Sequence, residues 1–184
     1  LPRDIALNSY SAATLAHHIA QINRFTGACA RPYSVAEHSL LCADIAAAQG
    51  HSAEVQLCAL VHDLHEGIVG DVSAPMRYAM GAPWACFERL HQRAMLSALG
   101  LRWWPRHASV VRTIDLIALA TERRDLLPQR SADSAPWPEL DQPGKEVQPH
   151  AGADLTSPER AERSWREWRD EFTTRYTELR KAVQ

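Results

Sequence analysis

Four residues with metal-binding side chains lie where the sequence predicts buried helical faces. Each interrupts an apolar pattern at helical spacing. An ionised carboxylate does not stay in an apolar core without a partner, because its desolvation costs several kcal/mol. Two imidazoles and two carboxylates form a mixed nitrogen and oxygen set that suits a divalent transition ion, which would neutralise the buried carboxylates. The predicted metal ligands are His38, His62, Asp63 and Asp115.

Taken one at a time, these residues have simpler explanations. A single His on an apolar face is more often a hydrogen-bonded core residue, and a single Asp in a helical stripe can pair with a neighbouring Arg such as Arg112. Because the four residues come from three predicted helices, one shared site accounts for them better than four separate pairs. Helical bundles commonly bind metals in this way, between side chains of facing helices.

The rest of the sequence predicts an all-α bundle that can position such a site, since helical periodicity dominates and no convincing alternating strand occurs. We predict helices at about residues 11–23, 34–49, 52–67, 83–99, 107–127 and 158–182, with a loop or short helical turn over 70–81. We expect one compact domain over 1–184, with a core at about 11–127.

Local signals predict where several of these helices begin and end. Ser11 is placed to cap the first helix, and Ser34 with Glu37 three residues later has the pattern of a capping box. Gly50 and Gly100 follow apolar helical stretches, where a left-handed glycine commonly ends a helix.

The segment at about 128–157 is rich in proline and poor in aliphatic residues. It predicts an irregular loop, which is either a plain linker or a lid over the site. The Ser157-Pro158-Glu159 sequence then begins a C-terminal helix. An aromatic and apolar stripe on that helix predicts that it docks back onto the bundle, through Trp165, Trp168, Phe172, Tyr176 and Leu179.

The composition narrows the expected partners and location. A formal net charge of −2 gives no electrostatic reason to expect a nucleic-acid partner. Apolar stretches are broken well before the roughly 18 residues of a membrane span, and the first residues lack the apolar core of a signal peptide. Cys42 and Cys58 lie in apolar helical patterns and are interpreted as small buried hydrophobes. We therefore expect a cytoplasmic protein without a membrane partner.

The segments around the predicted ligands resemble the HD-domain superfamily of helical, metal-dependent phosphohydrolases. The order His38, His62-Asp63, Asp115 is similar to its H…HD…D signature. The S-V-A-E-H-S-L segment at 34–40 resembles the one that carries the first histidine in bacterial 5′-deoxynucleotidases. Residues 62–78 match their H-D-x-x-E-x-x-x-G-D-x-x-x-P-x-[KR]-Y run. Phage dATP triphosphohydrolases share this general plan, and the resemblance covers about residues 20–127.

The resemblance implies catalytic roles for two further acidic residues. The residue at the position of Glu66 orients or deprotonates the nucleophilic water in that superfamily. A residue in this role must lie within hydrogen-bond distance of the water. The resemblance places Asp71 at the border of the site. The expected cofactor is one divalent transition metal ion, namely Co, Mn, Zn, Ni or Fe. Glu122 lies on the same face as Asp115 and could orient a ligand.

The resemblance also implies substrate-binding roles for three residues. Arg24 occupies the place of the family's phosphate-binding Arg, and a guanidinium offers paired donors for phosphoryl oxygens. Arg77 corresponds to a Lys or Arg that would form a second clamp. Phe25 stands where the deoxynucleotidases carry an aromatic residue against the sugar. Here it is Phe rather than Trp, which leaves the preference for deoxyribose open.

The substrate implied is a small nucleotide. Lys145 is the single Lys outside the C-terminal helix, and this scarcity of further cations favours a 5′-(deoxy)nucleoside monophosphate. A dNTP triphosphohydrolase stays open because other arginines could meet a triphosphate, among them Arg102, Arg106, Arg123 and Arg124. A non-catalytic metal- and nucleotide-binding module and a purely structural bundle are the remaining alternatives. By analogy with the family, a homodimer or higher homo-oligomer is also expected.

Overall fold

The regular structure of this protein is helical, which confirms the predicted all-α fold. A computed structural model describes residues 10–101, 104–129, 131 and 134–184, and within these ranges no β-strand occurs. The helices are α1 (Ala12–Ile19), α2 (Val35–Ala48), α3 (Ala53–Val61), α4 (Glu66–Val69), α5 (Ala74–Ala98), α6 (Trp104–Asp125), α7 (Pro158–Glu162) and α8 (Trp165–Ala182). The start of the predicted domain, residues 1–9, lies outside the described residues.

Helices α2 and α3 lie at the centre of the bundle. They pack against each other and against both α6 and α8, while α1 packs against α8 and α4. One buried apolar cluster joins α1, α2, α3 and α8, and a second joins α2, α3 and α6 with Leu155. His38 on α2 and His62, which directly follows α3, are therefore enclosed on several sides. None of the helices in the described ranges is long and apolar enough to cross a membrane.

Several predicted helix ends are confirmed. The Ser11 side chain accepts a hydrogen bond from the Thr14 backbone N–H at the start of α1. Gly50 and Gly100 follow α2 and α5 with φ angles of 73° and 71°, in the left-handed region that glycine tolerates best. The predicted helix at 107–127 begins earlier, at Trp104, and ends at Asp125.

The predicted capping box at α2 is only half right. The Ser34 side chain accepts from the Glu37 backbone N–H as expected. The Glu37 carboxylate does not return to the cap, however, because it is fully buried and binds two guanidinium groups instead. Arg31 donates to both of its oxygens over 2.8 and 2.7 Å, and Arg160 donates to one over 2.8 Å. Glu37 thus ties the C-terminal segment to α2.

The predicted helix 52–67 is interrupted by a turn at residues 62–65. Helix α3 ends at Val61, and residues 62–65 form a tight turn before the one-turn helix α4 begins at Glu66. The backbone N–H groups of Leu64, Glu66 and Gly67 bond to carbonyls three residues back rather than four, which tightens the chain. His62 and Asp63 therefore lie in a turn at the end of a buried helix.

The region expected to be a loop at 70–81 is mostly helical. The loop covers only residues 70–73, and α5 begins at Ala74. Helix α5 is broken at Gly81, whose φ of 59° and ψ of −138° are not helical, and Pro83 follows two residues later. The predicted helix 83–99 is thus the second part of a longer, interrupted helix.

The C-terminal helix docks onto the bundle as predicted, but it is not continuous. Helix α7 ends at Glu162, and α8 starts with a complete capping box between Ser164 and Glu167, a signal that the sequence prediction missed. The Phe172 side chain is fully buried in the cluster of α1, α2 and α3, where its burial stabilises the docked helix by about 1.5–3 kcal/mol.

The described part of the proline-rich segment packs against α6. Leu140 and Leu155 are fully buried, and the Leu155 backbone N–H donates to the Asp125 carboxylate. The His150 backbone N–H donates to the Thr121 hydroxyl at the same helix. These bonds favour a packed connection over a lid.

Candidate metal centre

His38 and His62 face each other across the interior of the bundle. Their Nε2 atoms are 3.3 Å apart. The Nδ1 atom of His38 donates to the buried Glu122 carboxylate over 2.5 Å, and that of His62 donates to the Ala59 carbonyl over 2.8 Å. Because both acceptors lack a proton, each neutral imidazole carries its hydrogen on Nδ1. Both Nε2 lone pairs are then free to bind a cation at the same point.

Two carboxylates complete the cluster. Asp63 Oδ2 lies 3.1 Å from His62 Nε2 and 3.4 Å from His38 Nε2. Asp115 Oδ1 lies 3.5 Å from His38 Nε2 and 3.7 Å from His62 Nε2, while its other oxygen accepts from Arg112 over 2.8 Å. The Arg112 pairing considered from the sequence is thus real, yet it leaves Asp115 Oδ1 facing the imidazoles. The structure brings all four predicted ligands together.

The donor separations fit a metal ion. With bonds of about 2.1 Å from a metal to nitrogen or oxygen, tetrahedral geometry places neighbouring donors about 3.4 Å apart. The observed separations between the imidazole nitrogens and the carboxylate oxygens run from 3.1 to 3.7 Å. The chemistry of the donors fits too, because imidazole and carboxylate together suit a divalent transition ion.

Cys42 belongs to the same cluster, which the sequence prediction missed. Its Sγ lies 3.6 Å from His38 Nε2, and the side chain is fully buried. His38, Cys42, His62 and Asp115 each offer a donor atom within 4.8 Å of the others, so this buried group could hold a metal ion. The signal was present in the sequence, since Cys42 lies four residues after His38 on one helix face.

The electrostatic environment of the cluster also favours a bound cation. Burial lowers the pKa of both imidazoles, but the surrounding anions raise it by more, so the pKa of His38 and of His62 lies well above its ordinary value. Burial alone would raise the pKa of Asp115, yet the facing imidazoles hold it well below its usual range. The pocket therefore stabilises positive charge between its carboxylates, which a divalent ion would supply in place of protons.

Arg24 lies beside the cluster rather than in open solvent. It is nearly fully buried and donates to Glu122 Oε2 over 3.1 Å and to Asp63 Oδ2 over 3.4 Å. Its backbone is fixed by a bond from its N–H to the Tyr33 carbonyl, next to the start of α2. The Arg24 Nε atom is buried and has no hydrogen-bond partner among the described residues. An unpaired buried donor of this kind is a place for a ligand oxygen.

Glu66 and Asp71 lie close enough to Asp63, His38 and Arg24 to interact with them electrostatically. Glu66 is buried, and its Oε2 atom has no hydrogen-bond partner in the part of the chain that the structure describes. Burial, reinforced by Asp63 and Asp71, raises the pKa of Glu66 well above its ordinary value. Burial likewise raises the pKa of Asp71, although Arg24 opposes the shift. Both acids thus lie within electrostatic reach of the predicted ligands, as the sequence suggested.

Comparison with known proteins identifies a family for the chain. It is 32% identical over 141 residues to a protein of Escherichia coli (strain K12) named "Uncharacterized protein YfdR". The aligned part covers 75% of this chain and 68% of that relative. The chain belongs to the YfdR family. A scan against protein-family models gave no match. The relative's name specifies no activity.

In this YfdR-family chain, Phe25 lies next to Arg24 in an unusual backbone turn. Phe25 and Thr26 have φ angles of 54° and 52°, in the left-handed region that non-glycine residues rarely adopt, and the strain costs about 1–3 kcal/mol per residue. The Arg24 guanidinium lies 5.3 Å from the centre of the Phe25 ring. Residues with such strained backbone cluster at functional sites.

The other arginines that the sequence suggested for phosphate binding do not contact the cluster directly among the described residues. Arg77 is exposed on α5, and its charge opposes the rise in the pKa of Asp71, but no direct contact joins it to the cluster among the described residues. Other arginines considered for a triphosphate are already paired: Arg106 with Glu54, Arg123 with Asp141, and Arg124 with Asp125. Arg102 lies outside the described residues.

A separate cavity lies at the end of α6, away from the cluster. Its volume is about 550 Å³, and it is lined by Arg123, Arg124 and proline-rich residues of the 128–149 region. Both arginines are held by acidic partners or backbone carbonyls. This cavity therefore offers little free positive charge for an anionic ligand.

Proposed function

We propose that this protein is a metal-dependent phosphohydrolase of the HD-domain type. Its proposed substrate is a small 5′-(deoxy)nucleoside monophosphate, from which it releases phosphate. The observation that carries the proposal is the convergence of His38 and His62 Nε2 atoms with the Asp63 and Asp115 carboxylates, beside Glu66, whose Oε2 atom has no hydrogen-bond partner among the described residues. A purely structural bundle would not need a buried carboxylate oxygen without a protein partner, because such an atom costs free energy.

The proposed metal ligands are His38, His62, Asp63 and Asp115. A divalent ion bound there would acidify a water molecule and polarise a P–O bond. Glu122 holds the His38 ring in the tautomer that presents Nε2, and it holds Arg24 in place at the same time. Burial of these groups limits the water that would weaken their interactions.

Glu66 is the proposed general base. Burial raises its pKa well above the ordinary value, which makes the carboxylate a stronger base, and its Oε2 atom has no hydrogen-bond partner among the described residues, so it can accept a proton from water. Arg24 would donate its unpaired Nε–H to a phosphoryl oxygen, while its terminal nitrogens stay with Asp63 and Glu122. Asp71 would border the sugar or the water at the entrance.

The distribution of positive charge favours a monophosphate over a triphosphate. Hydrolysis of a triphosphate needs several cations along the chain of phosphates. Three of the described arginines considered for that role are paired with acidic residues, namely Arg106, Arg123 and Arg124. Arg77 interacts electrostatically with Asp71 and serves as a second cation besides Arg24. Arg24 and Arg77 are enough for a single phosphate group.

A product screen tests this proposal. The purified protein, loaded separately with Co, Mn, Zn, Ni or Fe, is incubated with NMPs, dNMPs and dNTPs, and inorganic phosphate, pyrophosphate and triphosphate are measured. We expect phosphate from monophosphates, no activity in Asp115→Asn, and full activity in Asp170→Asn, which alters an exposed carboxylate on α8. Triphosphate release from dNTPs would replace the proposed substrate by the alternative. Absence of any product from metal-loaded protein would contradict hydrolysis and favour a binding module.

A further inference from the structure

Cys42 has the position of a metal ligand, although the resemblance to the HD-domain superfamily assigns it no role. It lies four residues after His38 on α2, so the two side chains share one face of the helix. Its Sγ is 3.6 Å from His38 Nε2, and one donor atom from each of His38, Cys42, His62 and Asp115 lies within 4.8 Å of the others.

The separation between sulfur and nitrogen matches ligands on a shared ion. With a metal–sulfur bond of about 2.3 Å and a metal–nitrogen bond of about 2.1 Å, a tetrahedral angle places the two donors about 3.6 Å apart. The observed separation is 3.6 Å for Cys42 Sγ and His38 Nε2. The corresponding nitrogen–nitrogen value is about 3.4 Å, and the two imidazoles are 3.3 Å apart.

Cys58 provides a contrast within the same bundle. It is as fully buried as Cys42, but it lies on α3 outside the cluster of donors. Burial, with Glu54, raises the pKa of the Cys58 thiol to about 12, so it stays protonated. Cys58 therefore fits the interpretation of a small buried hydrophobe, whereas Cys42 faces the lone pairs of a candidate metal centre.

We propose that the Cys42 thiolate binds the metal ion as a further ligand, in addition to the four proposed ligands His38, His62, Asp63 and Asp115. This inference rests on the proposed metal centre and deepens it. On binding, the thiol releases its proton to solvent and the sulfur lone pair forms the bond to the ion, with no change in oxidation state. A soft sulfur donor selects zinc, cobalt or iron over magnesium and manganese, so Cys42 determines which metals the centre retains.

Cobalt substitution tests the ligand directly. The full chain is stripped of metal and loaded with Co²⁺, and its near-ultraviolet absorption is recorded. A thiolate bound to Co²⁺ gives a charge-transfer band that nitrogen and oxygen ligands do not give. We expect this band in the wild-type protein and in Cys58→Ser, and its loss in Cys42→Ser. A band that persists in Cys42→Ser, or wild-type protein that binds Co²⁺ without the band, overturns the proposal.

Two further measurements keep the test independent of folding and of activity. X-ray absorption of the zinc-loaded wild-type protein should contain a sulfur neighbour at about 2.3 Å, and its absence overturns the proposal even if Cys42→Ser does not fold. The function is judged separately by product release. Hydrolysis by a centre without sulfur refutes only the Cys42 ligand, a sulfur-ligated centre without hydrolysis refutes only the proposed function, and failure to bind any metal refutes both.

Discussion

His38 Nδ1 donates to Glu122 Oε1 over 2.5 Å, and both side chains are fully buried. The same carboxylate accepts from Arg24 through its other oxygen over 3.1 Å. Arg24 and the His38 imidazole lower the pKa of Glu122 by more than burial raises it, so the group stays ionised. Glu122 therefore orients His38 and neutralises Arg24 simultaneously, which couples the candidate metal centre to the proposed phosphate-binding residue.

Glu122→Gln should weaken metal binding without unfolding the protein. The amide keeps the shape of the side chain but loses the charge that holds the His38 tautomer and Arg24. Loss of such an orienting partner typically lowers metal affinity by about 10–100-fold. Competition titration with a chelator measures this affinity. Glu178→Gln on the exposed face of α8 is the matched control. Equal affinities in the two variants would contradict the orienting role.

Glu66→Gln should separate metal binding from catalysis. Because Glu66 is proposed to accept a proton and not to bind the ion, the variant should retain its metal content and lose about 10²–10⁴-fold in kcat. Asp63→Asn should lose both metal and turnover. Metal analysis and phosphate release on the same preparations distinguish the two outcomes. Near-normal kcat in Glu66→Gln would remove it as the base.

The sequence predicted the helical fold and the meeting of His38, His62, Asp63 and Asp115 because both leave regular signals. Apolar spacing reports which side of a helix is buried, and a polar residue on that side stands out. Cys42 did not stand out in this way, since a buried cysteine is equally at home among apolar neighbours, and only its spacing of four residues from His38 pointed to the site. Its role depends on which donors face it across the bundle, and that is a property of packing.

Glu37 and Glu167 illustrate why the predicted ends were less accurate than the helices themselves. Both residues stand three positions after a Ser and satisfy the capping pattern. Glu167 does complete the box at α8, whereas Glu37 turns to Arg31 and Arg160 because these guanidiniums approach it in the folded chain. Arg160 is 123 residues away in sequence, so local spacing cannot reveal the competition.

The Glu37 cluster predicts an order of stability among its arginine variants. Arg31 donates two bonds to the buried carboxylate and two more to the Leu155 carbonyl, while Arg160 donates one bond to Glu37. Arg31→Ala leaves Glu37 with a single partner and should cost about 3–5 kcal/mol. Arg160→Ala should cost about 1.5–3 kcal/mol, the range of one bond to a charged group.

Urea denaturation gives the free energy of unfolding for each arginine variant. Exposed Arg89 on α5 supplies the control, since Arg89→Ala should change it by less than about 0.5 kcal/mol. A larger loss for Arg160→Ala than for Arg31→Ala would show that the assigned hierarchy of bonds is wrong.

Asp125 should make the docking of the proline-rich segment dependent on pH. Burial raises the pKa of Asp125, but the bonds from Arg124 and from the Leu155 backbone N–H lower it by more, so its folded-state pKa lies below the ordinary value. A depressed carboxyl pKa adds stability above the unfolded pKa of about 3.9. That stability is lost as the pH falls through the folded pKa. Asp125→Asn should therefore be less stable than wild type at pH 7, and the difference should shrink at strongly acidic pH.

Unfolding free energies of both proteins across this pH range test the prediction, with Asp170→Asn as the exposed control. A difference between wild type and Asp125→Asn that stays constant from neutral to acidic pH would mean that the charge of Asp125 does not hold the segment in place.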